Sequence, residues 1–401
     1  MNGQKKWFFL GFAFLATVIN YLDRQTLSVM APVLLEKFHI SAVSYSHIIF
    51  AFMAAYTVMN GVSGRVLDKL GTKMGYAVTI AWWSAAEILQ AFTAGAFSLG
   101  AFRFLLGMGE AGNYPAGVKL IAEWFPSEER SLASGIFNSG ASVGAILAPP
   151  LLAWIVLSLG WRTAFVTVGL LGFVWLALWM VLYRPVTEIS ASAPSSDVPL
   201  KVLLRSRFLW QFTLSKVFSD PVWYFYTFWF PQYLKVVHGF NLRLIGETAW
   251  IPFATAAIGN IAGGALFSIL LRFTRAQPAK ARRIAILGFS ILMMSAIFVG
   301  GRQNSAQCIA LISIATFGYS GALANLLAIP GDVFSKSAVA SVWGFASVGS
   351  GIGGMLFVLI TGWLVGHFSF QPVFLLFGIL PMVAALIVWT LPRQAMLEEV
   401  R

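Results

Sequence analysis

Two arginines and two carboxylates lie inside segments of this sequence that are otherwise apolar enough to cross a membrane. Asp23 and Arg24 are adjacent in the first apolar run, and Arg103 and Glu110 lie seven residues apart in the fourth. Ionised side chains at membrane depth cost several kcal/mol each, and they usually line a water-filled path. A guanidinium can bind an anion through its planar fork, whereas a carboxylate can accept a proton. The four residues therefore predict a buried site for an anion and for protons.

The spacing of Arg103 and Glu110 suits two separate tasks. Seven residues make about two helical turns, which place both side chains on one helix face about 10.5 Å apart along the axis. At that separation Glu110 is not permanently paired with Arg103, and burial favours its neutral, protonated form. Asp23 and Arg24 are adjacent, so their side chains diverge. The alternative is a fixed ion-pair network that holds the helices together.

The composition is that of an integral membrane protein. Of the 401 residues, 58% are hydrophobic and only 10% are charged, whereas about a quarter of a soluble domain is charged. The mean hydropathy is +0.79. The net charge of +12 does not indicate nucleic-acid binding, because the basic residues fall mostly in short gaps between apolar runs. The expected surroundings are a lipid bilayer.

Twelve segments reach the length of about 20 apolar residues that a membrane span needs. They are 7–30, 45–66, 75–95, 97–122, 131–157, 161–183, 208–235, 244–271, 283–300, 305–329, 337–364 and 369–391. The polar stretch 184–207 divides the chain into an N-terminal half, 1–183, and a C-terminal half, 208–401. We therefore predict an all-α membrane protein of twelve transmembrane helices in two six-helix halves, joined by a cytoplasmic linker. This is the layout of a parallel-repeat secondary transporter.

The distribution of Lys and Arg predicts the orientation of the chain. If the N-terminus is inside, eighteen of these residues fall in inner loops and tails and five in outer loops. Short loops rich in Lys and Arg stay in the cytoplasm, so both termini are predicted to be cytoplasmic. We expect a monomer in the inner membrane, with the first apolar run retained rather than cleaved as a signal peptide.

The sequence gives no support to an enzyme. The lone Cys308 excludes an intrachain disulfide, and the four histidines have no ligand spacing, so neither a metal nor a cofactor is expected. The stretch from Gly140 to Gly144 matches the G-x-S-x-G hydrolase pattern, which needs a preceding strand and a histidine base. Here it lies in an apolar helix. Its glycines, like those elsewhere at helical spacing, instead predict close helix packing.

The loop after the second apolar run carries the most specific local motif. Gly64, Asp68, Lys69, Gly71 and Lys73 fill every fixed position of a G-x-x-x-D-[RK]-x-G-x-[RK] pattern, which resembles the gating motif of the major facilitator superfamily. In physical terms the first glycine allows a neighbouring helix to approach. The aspartate can cap or pair across a helix end, and the second glycine makes the turn.

Further stretches resemble the anion:cation symporter family within that superfamily. Residues 20–24 read Asn-Tyr-Leu-Asp-Arg, and residues 103–115 read Arg-Phe-Leu-Leu-Gly-Met-Gly-Glu-Ala-Gly-Asn-Tyr-Pro. Residues 123–126, Glu-Trp-Phe-Pro, extend the match. Within that family, residues 55–59 and 220–224 are similar to the hexuronate transporters. The resemblance covers essentially the whole chain and is tighter in the first half.

The resemblance implies proton-coupled uptake of a sugar-acid anion, such as galacturonate or glucuronate, by alternating access. It also implies roles for six residues: Arg24 and Arg103 bind the substrate carboxylate, Asp23 and Glu110 carry protons, and Tyr21 and Tyr56 contact the sugar.

Other embedded side chains are weaker candidates for substrate binding. Trp223 and Tyr224 follow Pro221, and aromatic rings with polar tips near a helix bend suit sugar stacking as well as they suit packing. Asn138 and Asn325 are candidate partners for hydroxyl groups. Glu87 has no partner that the sequence identifies, and we assign it no role.

Two alternatives remain open at this point. The chain could carry another organic or phosphorylated anion within the same superfamily. It could also be a membrane sensor of sugar acids that transports nothing, although its longest polar segment is only the linker. The sequence does not distinguish one sugar acid from another, and it does not set the number of protons or exclude sodium in their place.

Overall fold

The computed structural model describes residues 3–184, 200–274, 277–301, 303–334 and 336–392. These residues form helices and connecting turns, with no strand among them. The helices are α1 (Gly3–Lys37), α2 (Ala42–Leu89), α3 (Ala96–Glu110), α4 (Asn113–Trp124), α5 (Ser127–Leu159), α6 (Trp161–Leu182), α7 (Leu200–Arg205), α8 (Arg207–His238), α9 (Leu242–Thr248), α10 (Ile251–Phe273), α11 (Pro278–Met293), α12 (Ser305–Val333), α13 (Lys336–His367) and α14 (Gln371–Trp389). Residues 185–199 of the predicted linker lie outside the described residues.

The predicted all-α membrane fold is confirmed. Each of the twelve predicted segments overlaps one helix or two consecutive helices. Eight helical stretches within the described residues are long and apolar enough to cross a membrane by length and composition. One of them, Ala42–Phe92, contains the predicted segment 45–66 and most of the segment 75–95. That stretch is interrupted at Gly71, whose φ of 72° and ψ of 166° are non-helical. A positive φ strains any residue with a side chain, so glycine makes this turn as the motif predicts.

The predicted segment 97–122 is two helices. It breaks after Glu110, so that α3 ends there and α4 begins at Asn113. Pro115 explains the break, because proline has no N–H to donate to the carbonyl of Ala111 and its ring clashes with that group. Glu110 consequently lies at the C-terminus of α3 instead of in mid-helix.

The chain divides into two compact units. The first contains Met1–Ser190 with Thr227–Trp250, and the second contains Ala191–Tyr226 with Ile251–Arg401. Helix α8 therefore contributes to both units.

Small residues bring α1 and α5 into close contact in the first unit. A Cβ atom on Gly140 would lie 2.6 Å from the carbonyl oxygen of Phe14, and one on Gly144 would lie 2.6 Å from that of Val18. Side chains larger than hydrogen are excluded at both positions, which fixes the part of α1 that precedes Arg24. The close packing that the glycine spacing predicts therefore occurs here.

Aromatic side chains attach α6 to the same region. Trp175 and Trp179 are stacked with ring centroids 5.1 Å apart. The indole N–H of Trp175 donates to the carbonyl of Phe12 at 2.9 Å, and that of Trp179 donates to the carbonyl of Lys73 at 3.1 Å. A buried indole needs such a partner, and here the two partners link α6 to α1 and α2.

Gly107 sets the approach of α3 to α2, and we expect Gly107→Val to destabilise the protein by about 2 kcal/mol or more. A Cβ at this position would meet the carbonyl oxygen of Phe52. The measurement is thermal unfolding of the purified protein in detergent. Gly61→Val is the matched control, because a Cβ on Gly61 has no atom within 4 Å among the described residues. Equal unfolding temperatures for the two variants would contradict the packing role of Gly107.

Candidate functional site

An ion pair between α1 and α3 lies at the centre of the candidate site. The Nε and Nη2 atoms of Arg24 donate to one carboxylate oxygen of Glu110 at 3.0 and 2.8 Å. The Glu110 side chain is 0% exposed and that of Arg24 is 9% exposed. The pair thus joins the arginine next to Asp23 on α1 to the glutamate that shares α3 with Arg103. The other oxygen of Glu110 accepts no hydrogen bond from the described residues.

Aromatic rings surround the Arg24 guanidinium. Its central carbon lies 4.8 Å from the ring centroid of Tyr56, 5.1 Å from that of Tyr21 and 5.5 Å from that of Phe52. Rings at these distances stabilise a cation through their negative faces. Both tyrosines are only partly buried. The predicted substrate residues Arg24, Tyr21 and Tyr56 are therefore neighbours in the structure.

Arg103 occupies a different position from Arg24. Its Nη1 donates to the backbone carbonyl of Asp23 at 3.2 Å, and its Nη2 donates to that of Arg24 at 2.8 Å. The residue is 0% exposed, and its Nε has no partner among the described residues. The predicted anion-binding residue Arg103 therefore binds the backbone of α1 at Asp23 and Arg24.

Asp23 is fully buried and its carboxylate is isolated. Neither oxygen accepts a hydrogen bond from the described residues, although the Arg103 and Glu110 charges lie within Coulombic range. Its side chain has surroundings unlike those of the adjacent Arg24, as divergence from a helix predicts. A buried carboxylate without a hydrogen-bond donor has lost the solvation that water would give it, so the described residues leave Asp23 unsatisfied.

Glu87 is a third buried carboxylate near this cluster. It lies in the last turn of α2, is 0% exposed and accepts a hydrogen bond from Gln90. Arg103 lies within Coulombic range of it. The sequence marks Glu87 as unusual, since an acidic residue in an apolar run is rare. Arg103, however, comes close to Glu87 only because α2 and α3 pack together.

Two polar networks border the cluster, and both include residues of α4 without a predicted role. Tyr76 donates to the amide oxygen of Asn113 at 2.8 Å, and the Asn113 amide nitrogen donates to Thr17 at 3.1 Å. Tyr114, which is 53% exposed, lies beside the predicted hydroxyl partner Asn138. The signal for these two residues was the polar Asn-Tyr-Pro run that follows Glu110.

The remaining candidates, Trp223, Tyr224 and Asn325, lie in the second unit. Trp223 is stacked on Tyr319 with ring centroids 5.4 Å apart, and Tyr224 hydrogen-bonds with Ser350 at 3.2 Å between oxygens. The amide nitrogen of Asn325 donates to two backbone carbonyls at 3.0 Å each, and its buried oxygen has no partner among the described residues.

A buried ion pair precedes these aromatic residues on α8. Lys216 and Asp220 are four residues apart, a spacing that predicts an i,i+4 pair, and their charged atoms lie 2.7 Å apart. Tyr319 donates to the same carboxylate at 3.4 Å. The second unit thus has its own charged and aromatic group.

The loop motif forms contacts with α4. Asp68 pairs with Lys119 at 2.8 Å, and Thr72 donates to Glu123 at 2.6 Å. A Cβ at Gly64 would meet no atom within 4 Å among the described residues, so the helix approach expected at that glycine is not seen in this structure. Lys69 and Lys73 complete the motif.

Asp68→Asn is expected to cost less than about 1 kcal/mol of stability, because the Asp68 side chain is 75% exposed and exposed ion pairs contribute little. Asp220→Asn is the matched comparison. Its side chain is 8% exposed, and removing one charge of a buried pair costs about 3 kcal/mol. Denaturation of both purified variants checks the difference. A larger loss for Asp68→Asn than for Asp220→Asn would contradict it.

The helices and the buried charge cluster define a class: a multi-pass membrane protein whose ionisable groups face one another inside the bilayer-spanning region. The sequence profile of the Major Facilitator Superfamily matches residues 13–279 and 276–399. The chain belongs to the Major Facilitator Superfamily, and it is a membrane transporter rather than an enzyme.

Relatives in sequence and in structure agree with this assignment. The hexuronate transporter of Escherichia coli K12 is 33% identical over 98% of this chain and 96% of its own length. The galacturonate transporter of Dickeya chrysanthemi is 34% identical over 74% of this chain and 91% of its own length. A crystal structure of a bacterial homologue of the human lysosomal transporter Spinster, inward-facing and unoccupied, superposes with a TM-score of 0.78. It covers 97% of this chain and 96% of its own, at 18% identity, and therefore supports the fold alone.

Proposed function

We propose that this protein is a proton-coupled symporter that imports a sugar-acid anion, a hexuronate such as galacturonate or glucuronate. The observation that carries the proposal is the buried ion pair of Arg24 and Glu110, in which the protein's own carboxylate binds the guanidinium. Two relatives at 33% and 34% identity are hexuronate and galacturonate transporters. A substrate carboxylate has the same chemistry as the glutamate that it would replace.

The pair supplies a physical link between proton and anion. A proton that binds the Glu110 carboxylate removes its charge, so the ion pair with Arg24 is lost and the guanidinium becomes available. The substrate carboxylate then takes the position on Arg24. When the proton leaves Glu110, the glutamate competes for the guanidinium again and the substrate is released.

Charge balance explains why an anion carrier would use this link. Moving one negative charge into a cell with a negative interior is opposed by about 2.3 kcal/mol per 100 mV. One accompanying proton cancels that cost, and a second proton on Asp23 would make the potential a driving force. This assignment follows the isolation of the Asp23 carboxylate.

The remaining candidates would recognise the sugar. In the first unit Tyr21, Tyr56 and Asn138 present rings or polar groups close to the arginine or beside Tyr114. In the second unit Trp223 offers an aromatic face, while Tyr224 and Asn325 offer polar groups. Sugars are bound by stacking on such rings and by hydrogen bonds to hydroxyls.

The wider expectations belong to the same proposal. They are an anion:cation symporter that works by alternating access between the halves 1–183 and 208–401, with the loop motif at Gly64–Lys73 taking part in gating. The chain would be a monomer in the inner membrane with both termini in the cytoplasm, an orientation that the excess of Lys and Arg in the inner loops supports.

The test is uptake by proteoliposomes with an imposed pH gradient, inside alkaline. Galacturonate, glucuronate, galactonate and a sugar phosphate are offered separately as labelled substrates. We expect accumulation of a hexuronate that collapses when a protonophore is added. Uptake of the sugar phosphate alone would favour the second candidate, a carrier of another organic or phosphorylated anion. Binding of a hexuronate without any transport would indicate a sensor.

A further inference from the structure

Glu87 is a buried carboxylate that the proposed cycle does not use. Its Oε2 accepts a hydrogen bond from the Gln90 amide, while its Oε1 accepts none from the described residues. The Thr26 hydroxyl lies beside the same carboxyl group but donates its proton to the carbonyl of Leu22 at 2.8 Å. Among the described residues, Glu87 therefore has one unsatisfied oxygen, where a buried carboxylate anion requires donors on both.

The charged groups around Glu87 come from α1 and α3. Asp23 faces it from α1, and Arg103 and Glu110 face it from α3. On α6, which also packs against α2, the charged residue at this end is Arg162, whose Nε donates to the carbonyl of Ala91 at 3.1 Å. Among the described residues, Arg103 is thus the cation within Coulombic range of Glu87.

The cluster contains one more acid than it has arginines. Asp23, Glu87 and Glu110 face Arg24 and Arg103 within one buried region. The direct pair of Arg24 and Glu110 cancels one charge of each sign, which leaves Arg103 with two carboxylates. Within the described residues the side chains give Arg103 two carboxylates and no second guanidinium.

We propose that Asp23 and Glu87 share one proton beside Arg103, so that Glu87 is a third proton-holding side chain of this site. Two like charges near one site cannot both remain ionised at low cost, and one of them keeps a proton. The cluster is then neutral: Arg24 with Glu110, and Arg103 with a single negative charge on Asp23 or Glu87. Its part in transport rests on the proposed function, whereas the shared proton itself does not.

The direct test is infrared titration of the purified transporter without substrate, because a protonated carboxyl group has a C=O band that a carboxylate lacks. Glu87→Gln removes one negative charge and keeps an oxygen for the Gln90 amide. We expect the carboxyl band assigned to the pair to disappear at a pH lower by about one unit or more than in the wild type, as removal of a neighbouring charge requires. Glu36→Gln, at a side chain that is 77% exposed, is the matched control and should not move it.

An unchanged titration in Glu87→Gln would overturn the inference. If that variant does not fold, Asp23→Asn tests the same pair from the other side and should shift the remaining band in the same direction. In proteoliposomes the pH at half-maximal uptake should also move lower by about one unit in Glu87→Gln. A wild-type protein that transports no hexuronate would overturn the proposed function alone, because the infrared titration decides the shared proton without a substrate.

Discussion

Glu110→Gln is expected to abolish proton-driven accumulation of the substrate while leaving exchange of substrate across the membrane. The amide cannot take up a proton or pair as an anion with Arg24, so the competition between Glu110 and the substrate is lost. For one proton per anion, the wild type should accumulate substrate about tenfold per unit of pH gradient, since one unit corresponds to about 1.4 kcal/mol. The variant should reach equal concentrations on both sides.

Two measurements separate this result from misfolding. Counterflow in proteoliposomes reports exchange without a gradient, and it should remain in Glu110→Gln. Glu247→Gln is the matched control, because Glu247 lies in an exposed pair with Arg243. Concentrative uptake by Glu110→Gln would remove this residue from proton coupling.

Arg24→Lys is expected to weaken substrate binding by about 10- to 100-fold, the equivalent of about 1.5–3 kcal/mol for a charge-assisted hydrogen bond. The charge is retained, but a lysine has one nitrogen where Arg24 uses both Nε and Nη2 on a single carboxylate. Binding of the labelled hexuronate to purified protein measures the loss. Arg243→Lys, at an exposed arginine, should bind with wild-type affinity.

Arg103→Lys distinguishes the two buried arginines. Because Arg103 donates to the backbone carbonyls of Asp23 and Arg24, we expect its replacement to lower the unfolding temperature more than Arg24→Lys does. Its effect on affinity should arise from displacement of α1 and should be smaller than that of Arg24→Lys. Unchanged affinity in Arg24→Lys, with a large loss in Arg103→Lys, would exchange the two roles.

Most of the fold could be predicted from the sequence because the bilayer imposes a length and an apolar composition on every span. The helix boundaries were less predictable. The break after Glu110 depends on Pro115, whose effect on one carbonyl is local and readable. By contrast, the predicted span ends at residue 30, whereas α1 continues through Pro32 to Lys37.

The candidate site shows the same division. The apolar runs around Asp23, Arg24, Arg103 and Glu110 predict that these residues are embedded, and the helical period predicts that the last two share one face of α3. The pairing of Arg24 with Glu110, the binding of Arg103 to the backbone of α1 and the place of Glu87 in the cluster could not be read from the sequence and depend on the packing of the helices. The helical repeat sets the direction of each side chain around its own helix axis. The rotation of one helix relative to another, and its shift along the axis, instead depend on contacts such as that of Gly107 with Phe52. Such contacts join residues that are far apart in the sequence, so the sequence pattern does not reveal them.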